Sequence, residues 1–173
     1  MGSVTIPSLA LNNGVTIPQL GFGTYKLPAE RTLDAVACAV EAGYRHIDTA
    51  AMYRNEREVG QAIAATGLPR GDFFVTTKLN NAHHAHDDAL AAFDQSLEAL
   101  GMDYVDLYLI HWPLPAIGLY PQAWEALEEI AASGKARTIG VSNFQPAHID
   151  RLLASGTVTP ALNQIECHPY LSQ

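Results

Sequence analysis

Six short apolar runs alternate with five longer stretches of helical periodicity along this chain, and this alternation constrains the fold more than any other feature. Units of this kind, repeated about every thirty residues, are joined by crossover connections, which make neighbouring strands parallel. The runs predicted as strands are 20–25, 44–48, 73–78, 104–111, 136–142 and 161–166. The helices predicted between them are 30–42, 55–66, 86–100, 121–133 and 146–155. The sequence therefore predicts an α/β fold around a parallel sheet.

Turn signals support these boundaries. Ahead of the first unit, VTIPSLALNNGVTIPQL places Asn-Asn-Gly between two β-type runs, which predicts an N-terminal β-hairpin with a turn residue at positive φ. Glycines end two of the helical stretches, in EAG and ALG, and Pro146 opens another in SNFQP.

The composition is that of an ordinary soluble protein, with 48% hydrophobic and 16% charged residues. A net charge of −8 argues against nucleic acid or an anionic membrane as partner and favours a small molecule. The two cysteines form no disulfide framework, and the sequence shows neither a signal segment nor an apolar run of about eighteen residues. These features predict a cytoplasmic protein.

Two parallel architectures fit the alternation, the doubly wound sheet and the (β/α)8 TIM barrel. A dinucleotide-binding doubly wound sheet carries G-x-G-x-x-G after its first strand, but GFGTYK has Lys26 where the third glycine belongs. In a barrel, active groups lie at the carboxyl ends of several strands. One polar residue at a strand end is usually a cap or a solvated side chain, but here polar residues stand at the ends of all six predicted strands. This pattern favours a barrel with a site formed by Thr24, Tyr25, Asp48, Lys78, His111, Ser142, Asn143, Gln164 and Glu166.

Five motifs, in the same order, resemble those of the aldo-keto reductase family, and the resemblance runs from about residue 5 to the end. The motifs are GYRHIDTAAMYRNE, TTKL, DYVDLYLIHWP, IGVSNF and NQIECHPY. Within the family the likeness is greatest to the bacterial 2,5-diketo-D-gluconate reductases, through TKLNN, HWPLP and NQIECHP. The resemblance implies a TIM barrel that uses NADPH to reduce a small carbonyl substrate.

The same resemblance implies roles for individual residues. The catalytic tetrad it implies is Asp48, Tyr53, Lys78 and His111. The residues it implies around the cofactor, the last three of them on the nicotinamide carboxamide, are Thr24, Asp48, Ser142, Asn143 and Gln164. The substrate pocket it implies is lined by Tyr25 and Trp112, and no metal takes part.

Carbonyl reduction needs a hydride at carbon, which the cofactor supplies, and a proton at oxygen, which the protein supplies. A free tyrosine, with a pKa near 10, is a reluctant proton donor at neutral pH. A cation about 4 Å away contributes roughly 4 kcal/mol at an effective dielectric near 20, so Lys78 is expected to lower the pKa of Tyr53 by up to about three units. Asp48 is expected to pair with Lys78 and keep it charged. His111 is expected to hydrogen-bond the substrate oxygen.

A complete barrel of this type has eight strands and about 250 residues. The predicted strands end with the sixth, so residues 1–173 are expected to form a single barrel domain truncated after strand six, without the family's phosphate-binding loops. A full-length protein is expected to be a monomer, whereas a truncated one would expose two sheet edges through which it could self-associate. The isolated chain is expected to bind NADPH poorly and to turn over little.

Three alternative interpretations remain open. The segment NNAHHAHDD offers a zinc or nickel site, but its spacing matches no structural zinc pattern, and Asp87 or Asp88 is as well suited to cap the next helix. The ligands of such a site would be His83, His84, His86, Asp87 and Asp88. Lys78 could instead be the Schiff-base nucleophile of a lyase. The chain could also be a non-catalytic relative that binds nicotinamide nucleotide and regulates a partner protein.

Overall fold

A computed structural model describes residues 6–173 as a curled parallel sheet with helices on its outer side. A hairpin of β1 (Ser8–Ala10) and β2 (Thr16–Pro18) precedes the sheet. The six parallel strands are β3 (Gly21–Gly23), β4 (His46–Asp48), β5 (Phe74–Leu79), β6 (Leu107–Ile110), β7 (Ile139–Ser142) and β8 (Asn163–Gln164). They pair in chain order, without the reversal of strand order that defines a doubly wound sheet. The prediction of an α/β barrel fold with an N-terminal hairpin is therefore confirmed.

Five α-helices connect these strands, and each begins and ends within one residue of its predicted bounds. They are α1 (Ala29–Glu41), α2 (Glu56–Ala65), α3 (His86–Leu100), α4 (Tyr120–Ala132) and α5 (Pro146–Ser155). Two short 3₁₀ turns are added at Ala51–Tyr53 and Arg70–Asp72. Gly43 and Gly101 follow α1 and α3 with φ of 101° and 64°, as expected of helix-ending glycines. Within residues 6–173, no helix combines the length and the apolar character needed to cross a membrane.

Side chains of the strands alternate between an outer and an inner layer. Ile47 of β4 and Val75 of β5 belong to the large core under the helices, whereas Phe74 belongs to a separate inner cluster. Because successive side chains point to opposite faces, Asp48 and Lys78 fall on the inner face. The alternation thus directs both charged residues into the interior of the curled sheet.

The hairpin covers the end of the sheet where the strands begin. Val15 and Ile17 pack on the inner cluster formed by Phe74, Leu107 and Leu109. Gly14 in its turn has φ of 83°, as Asn-Asn-Gly predicted, and Asn13 donates hydrogen bonds to the backbone just before β7 and to Thr138. The opposite end, where the strands finish, is left for the site.

Candidate active site

Four strands and the segment after a fifth bring polar side chains to one rim. Asp48 ends β4, Lys78 is the penultimate residue of β5, and His111 directly follows β6. Ser142 ends β7 and Gln164 ends β8. The structure therefore gathers these sequence-predicted residues at the carboxyl ends of the strands, the end at which barrels carry their active sites.

A buried ion pair lies at the base of this rim. Lys78 is 1% exposed, and its Nζ donates to Asp48 Oδ1 at 2.5 Å and to the backbone carbonyl of Thr49 at 2.9 Å. The second carboxylate oxygen of Asp48 accepts a hydrogen bond from Gln164 Nε2 at 2.8 Å. Burial lowers the pKa of Lys78 from 10.5, and Asp48 opposes that shift. Asp48 thus has the pairing role that the sequence predicted.

Tyr53 lies above this pair, on the 3₁₀ turn after β4. The Nζ atom of Lys78 is 5.1 Å from the centroid of the Tyr53 ring. The ring of Tyr53 is 5.1 Å from that of Tyr25 and 5.6 Å from that of His111, which it meets edge to face. The Tyr53 ring therefore has a second phenol, an imidazole and an ammonium as close neighbours.

The expected lowering of the Tyr53 pKa is wrong for this structure. Burial raises the pKa of Tyr53 to about 12, and the negative charge of Asp48 and the neighbouring Tyr25 add to the shift. The expectation treated Lys78 as a free cation beside the phenolate. In the structure its ammonium faces the ring and donates to Asp48 and Thr49 rather than to the phenol oxygen, so burial outweighs its attraction for the phenolate. Tyr53 is accordingly a neutral phenol at neutral pH.

His111 is also neutral at neutral pH. Its side chain is buried, and burial followed by the charge of Lys78 lowers its pKa from 6.5 to about 4. Its Nδ1 atom has no hydrogen-bond partner within residues 6–173. The backbone carbonyl of His111 accepts from Asn143 Nδ2 at 3.0 Å, which ties β6 to the segment after β7.

A pocket of about 510 Å³ opens above Tyr53 and His111. Its walls include the predicted residues Tyr25, Trp112, Ser142, Asn143 and Gln164. Asp48, Lys78 and Thr24 do not line the pocket and lie beneath or beside it. Two apolar residues that sequence reasoning missed, Met52 and Ile165, also line it and are each 43% exposed. The sequence signal that could have identified them is adjacency, since Met52 precedes Tyr53 and Ile165 follows Gln164.

The amide groups of the pocket fit a carboxamide. Ser142 Oγ donates to the backbone carbonyl of Gln164 at 3.0 Å, and Asn143 Nδ2 donates to Ser142 Oγ at 3.0 Å. Within residues 6–173, neither Asn143 Oδ1 nor Gln164 Oε1 accepts a hydrogen bond, so both oxygens can receive an N–H from a ligand. Thr24 is buried, with its hydroxyl near the backbone carbonyl of Asp48, and does not face the pocket.

The histidine-rich segment NNAHHAHDD, at the start of α3, does not have the geometry of a metal site. Within residues 6–173, no group of three or more His, Cys, Asp and Glu side chains is arranged to hold a metal ion. Asp87 contacts His86 Nδ1 at 2.9 Å, and α3 begins at His86 without a side-chain cap. The alternative prediction that Asp87 or Asp88 caps this helix is therefore wrong, because both lie inside its first turn.

Known proteins resemble this chain along most of its length. The sequence model of the aldo/keto reductase family matches residues 19–173. An aldo-keto reductase of Mycolicibacterium smegmatis is 52% identical over 167 residues, which are 96% of this chain and 61% of that protein. The morphine 6-dehydrogenase of Pseudomonas putida is 50% identical over 167 residues, 96% of this chain and 56% of that protein.

The solved structure of the Bombyx mori aldo-keto reductase in complex with NADP superposes with a TM-score of 0.87 at 43% identity. The match covers 95% of this chain and 59% of that one. This chain therefore spans about three fifths of the length of the relatives it matches.

Proposed function

The chain belongs to the aldo/keto reductase family, and from this premise we propose that it reduces an aldehyde or ketone to an alcohol, with NADPH supplying the hydride and Tyr53 the proton. The observation that carries the proposal is the buried Asp48–Lys78 pair beneath a phenol that shares its pocket with His111. The NADP complex of the Bombyx mori relative supports the choice of cofactor.

Tyr53 would act as the general acid. With a pKa of about 12 it holds its proton at neutral pH, so the donor form is fully populated. Negative charge develops on the phenol oxygen as the proton leaves, and the neighbouring Lys78 ammonium stabilises that charge. Asp48 would keep the ammonium charged in a site where burial favours its neutral form.

The remaining residues would orient the reactants. Neutral His111 can donate one hydrogen bond to the carbonyl oxygen of the substrate and so hold it near the phenol. Ser142, Asn143 and Gln164 would hold the carboxamide of the nicotinamide through their hydroxyl and amide groups. Positioning of this kind is a large part of catalysis, because it removes the entropy loss of bringing the groups together.

The walls of the pocket favour a substrate with an apolar or aromatic portion, since Tyr25, Met52 and Trp112 present partly exposed apolar surfaces to it. The motifs TKLNN, HWPLP and NQIECHP favour the 2,5-diketo-D-gluconate reductase subgroup, whereas the Pseudomonas putida relative is named for morphine. A panel of 2,5-diketo-D-gluconate, a polycyclic ketone and an aromatic aldehyde would rank these classes by kcat/KM, with NADPH and NADH compared for each.

The proposed function is tested by NADPH oxidation that depends on a carbonyl compound. NADPH oxidation would be measured on the 173-residue chain and on a chimera. In the chimera, the chain is followed by the part of the Mycolicibacterium smegmatis relative that lies beyond the matched region. Tyr53→Phe should lower kcat by roughly a hundredfold to ten-thousandfold, the usual contribution of a general acid, and leave NADPH binding intact. Tyr170→Phe removes the hydroxyl of a 97% exposed tyrosine outside the pocket and is the matched control.

Carbonyl-dependent oxidation by neither protein would refute the reductase proposal, and activity that survives Tyr53→Phe would refute the proton-donor role. The lyase alternative is disfavoured because Lys78 is 1% exposed, lies outside the pocket wall and donates to two oxygens. Borohydride trapping with a carbonyl substrate would reveal a Schiff base. NADPH binding without turnover in the chimera would favour the non-catalytic alternative.

A further inference from the structure

Asn55 is a buried polar residue between Tyr53 and α2 that the tetrad does not include. Its side chain is 0% exposed. Its Oδ1 accepts from Thr49 Oγ1 at 2.8 Å and lies 3.3 Å from Thr24 Oγ1. Its Nδ2 donates to the backbone carbonyls of Thr24 at 3.1 Å and Leu27 at 3.0 Å. Because a carboxamide has two donor hydrogens and two acceptor lone pairs, its full hydrogen-bonding capacity is used.

Thr49 connects Asn55 to the ion pair. The backbone carbonyl of Thr49 accepts from Lys78 Nζ, while its hydroxyl donates to Asn55. Since Thr49 directly follows Asp48, the two oxygens that hold the Lys78 ammonium belong to consecutive residues. When Asn55 holds the Thr49 hydroxyl, it also restrains the backbone of Thr49, whose carbonyl is one of the two acceptors that set the position of Lys78 Nζ.

Asn55 also anchors the segment that carries Tyr53. Arg54, between the two, has φ of 58°, a left-handed conformation that few non-glycine residues adopt, so the chain turns sharply there. Asn55 occupies the N-cap position of α2, yet its side chain makes no capping bond. Its amide is instead directed to the segments that end β3 and β4, which is unusual for an asparagine at a helix start.

We propose that Asn55 is a positioning residue that sets the distance between the Lys78 ammonium and the Tyr53 phenol. It acts through Thr49 on one side and through the Arg54 turn on the other. The role rests on the proposed function in so far as Tyr53 is the proton donor. Alanine at position 55 would leave a buried hydroxyl, one buried carbonyl and one partly buried carbonyl without their partner, so the three segments would loosen together.

The test follows Lys78 directly, because the chain has three lysines and the other two are exposed. With lysine labelled with ¹³C at Cε, NMR gives the titration midpoint of Lys78, which is assigned by its loss in Lys78→Met. The test variants are Asn55→Ala and the near-isosteric Thr49→Val. Thr49→Val tests the same positioning role if Asn55→Ala does not fold. Thr77→Val is the matched control, since Thr77 is equally buried in β5 but donates to Glu56.

We expect the Lys78 midpoint to rise measurably towards 10.5 in Asn55→Ala and Thr49→Val, because water then reaches the ammonium. Thr77→Val should leave it within about 0.3 unit of wild type. In whichever of the chain and the chimera is active, kcat should fall about tenfold or more in both test variants, with NADPH affinity within about threefold of wild type.

An unmoved midpoint in the folded test variants, or an equal movement in Thr77→Val, would overturn the positioning role. Loss of NADPH affinity without loss of kcat would overturn it as well. The NMR measurement needs no turnover, so failure of the reductase proposal is distinguishable from failure of the role of Asn55.

Discussion

The lowered pKa of His111 makes the stability of the fold depend on pH. The imidazole titrates at about 4 in the folded protein and at 6.5 when exposed. Between these values the unfolded chain binds a proton that the folded chain does not, so the free energy of unfolding falls as the pH is lowered. The contribution is fully present above pH 6.5 and is lost progressively as the pH falls to about 4.

The magnitude follows from the size of the shift. One pKa unit corresponds to about 1.36 kcal/mol, so a shift from 6.5 to about 4 amounts to about 3 kcal/mol when the titration is complete. At pH 5 the unfolded imidazole is about 1.5 units below its pKa and the folded one is still neutral, which gives about 2 kcal/mol. Solvent screening reduces this figure little, since His111 is 8% exposed.

The assay is urea unfolding of wild type and His111→Gln, followed by tryptophan fluorescence at about pH 7.5 and about pH 5. Wild type should lose about 2 kcal/mol more than the variant between these two conditions, because glutamine has no proton to bind. His83→Gln, which changes a partly exposed histidine outside the pocket, should lose as much as wild type.

Equal losses in wild type and His111→Gln, within about 0.5 kcal/mol, would refute the link between burial and stability. The midpoint itself can be read from the His111 ring protons by NMR. A midpoint near 6.5 in the folded protein would refute the same reasoning at its first step.

Two further predictions concern buried carboxyl groups outside the pocket. Burial raises the pKa of Glu56 above 4.5, so its stabilising contribution is present below that value and is lost as the pH rises through the folded pKa. From about pH 4.5 to about pH 7.5, urea unfolding should therefore show a change in stability that is more favourable for Glu56→Gln than for wild type or Glu58→Gln; equal changes in the three proteins would contradict the assignment. Asp106 is 0% exposed and accepts hydrogen bonds from two arginine side chains and a backbone amide. Asp106→Asn should lower the free energy of unfolding by about 3 kcal/mol, against under about 1 kcal/mol for Asp94→Asn at an exposed ion pair, and a comparable small loss in both variants would show that burial does not strengthen the Asp106 contacts.

The sequence predicted the helices and the rim better than it predicted the strand lengths. Helix bounds depend on local signals, such as the glycines after α1 and α3, each of which lies within one turn of the helix end that it sets. Strand bounds depend on pairing with neighbours far along the chain, and β8 pairs over just two residues of the predicted run 161–166. The rim was predictable because alternation and parallel pairing bring strand ends together whatever the strand length.

The sequence could not predict the burial of Asn55 and Glu56. An Asn-Glu pair at the start of a helical stretch is typical of an exposed cap, and no neighbouring residue in the sequence indicates that the two side chains are buried. Their partners Thr24, Thr49, Thr77 and Ser96 lie between 6 and 40 residues away, so the contacts exist only once the sheet has formed. The prediction that the Tyr53 pKa is lowered was wrong for a related reason. The direction of that pKa shift depends on burial, which a calculation from the Lys78 charge alone leaves out.

Burial therefore has opposite consequences for the three titratable groups around the proposed proton donor. It moves the pKa of Tyr53 up to about 12 and that of His111 down to about 4, so both groups stay neutral across the physiological range. It moves the pKa of Lys78 from 10.5 towards neutrality, and Asp48 alone among the named causes opposes it. A pH dependence of reduction near neutral pH would then report on neither the phenol nor the imidazole. Because Thr49 and Asn55 fix the position of the same ammonium, the titration of Lys78 connects the electrostatics of the site to its geometry.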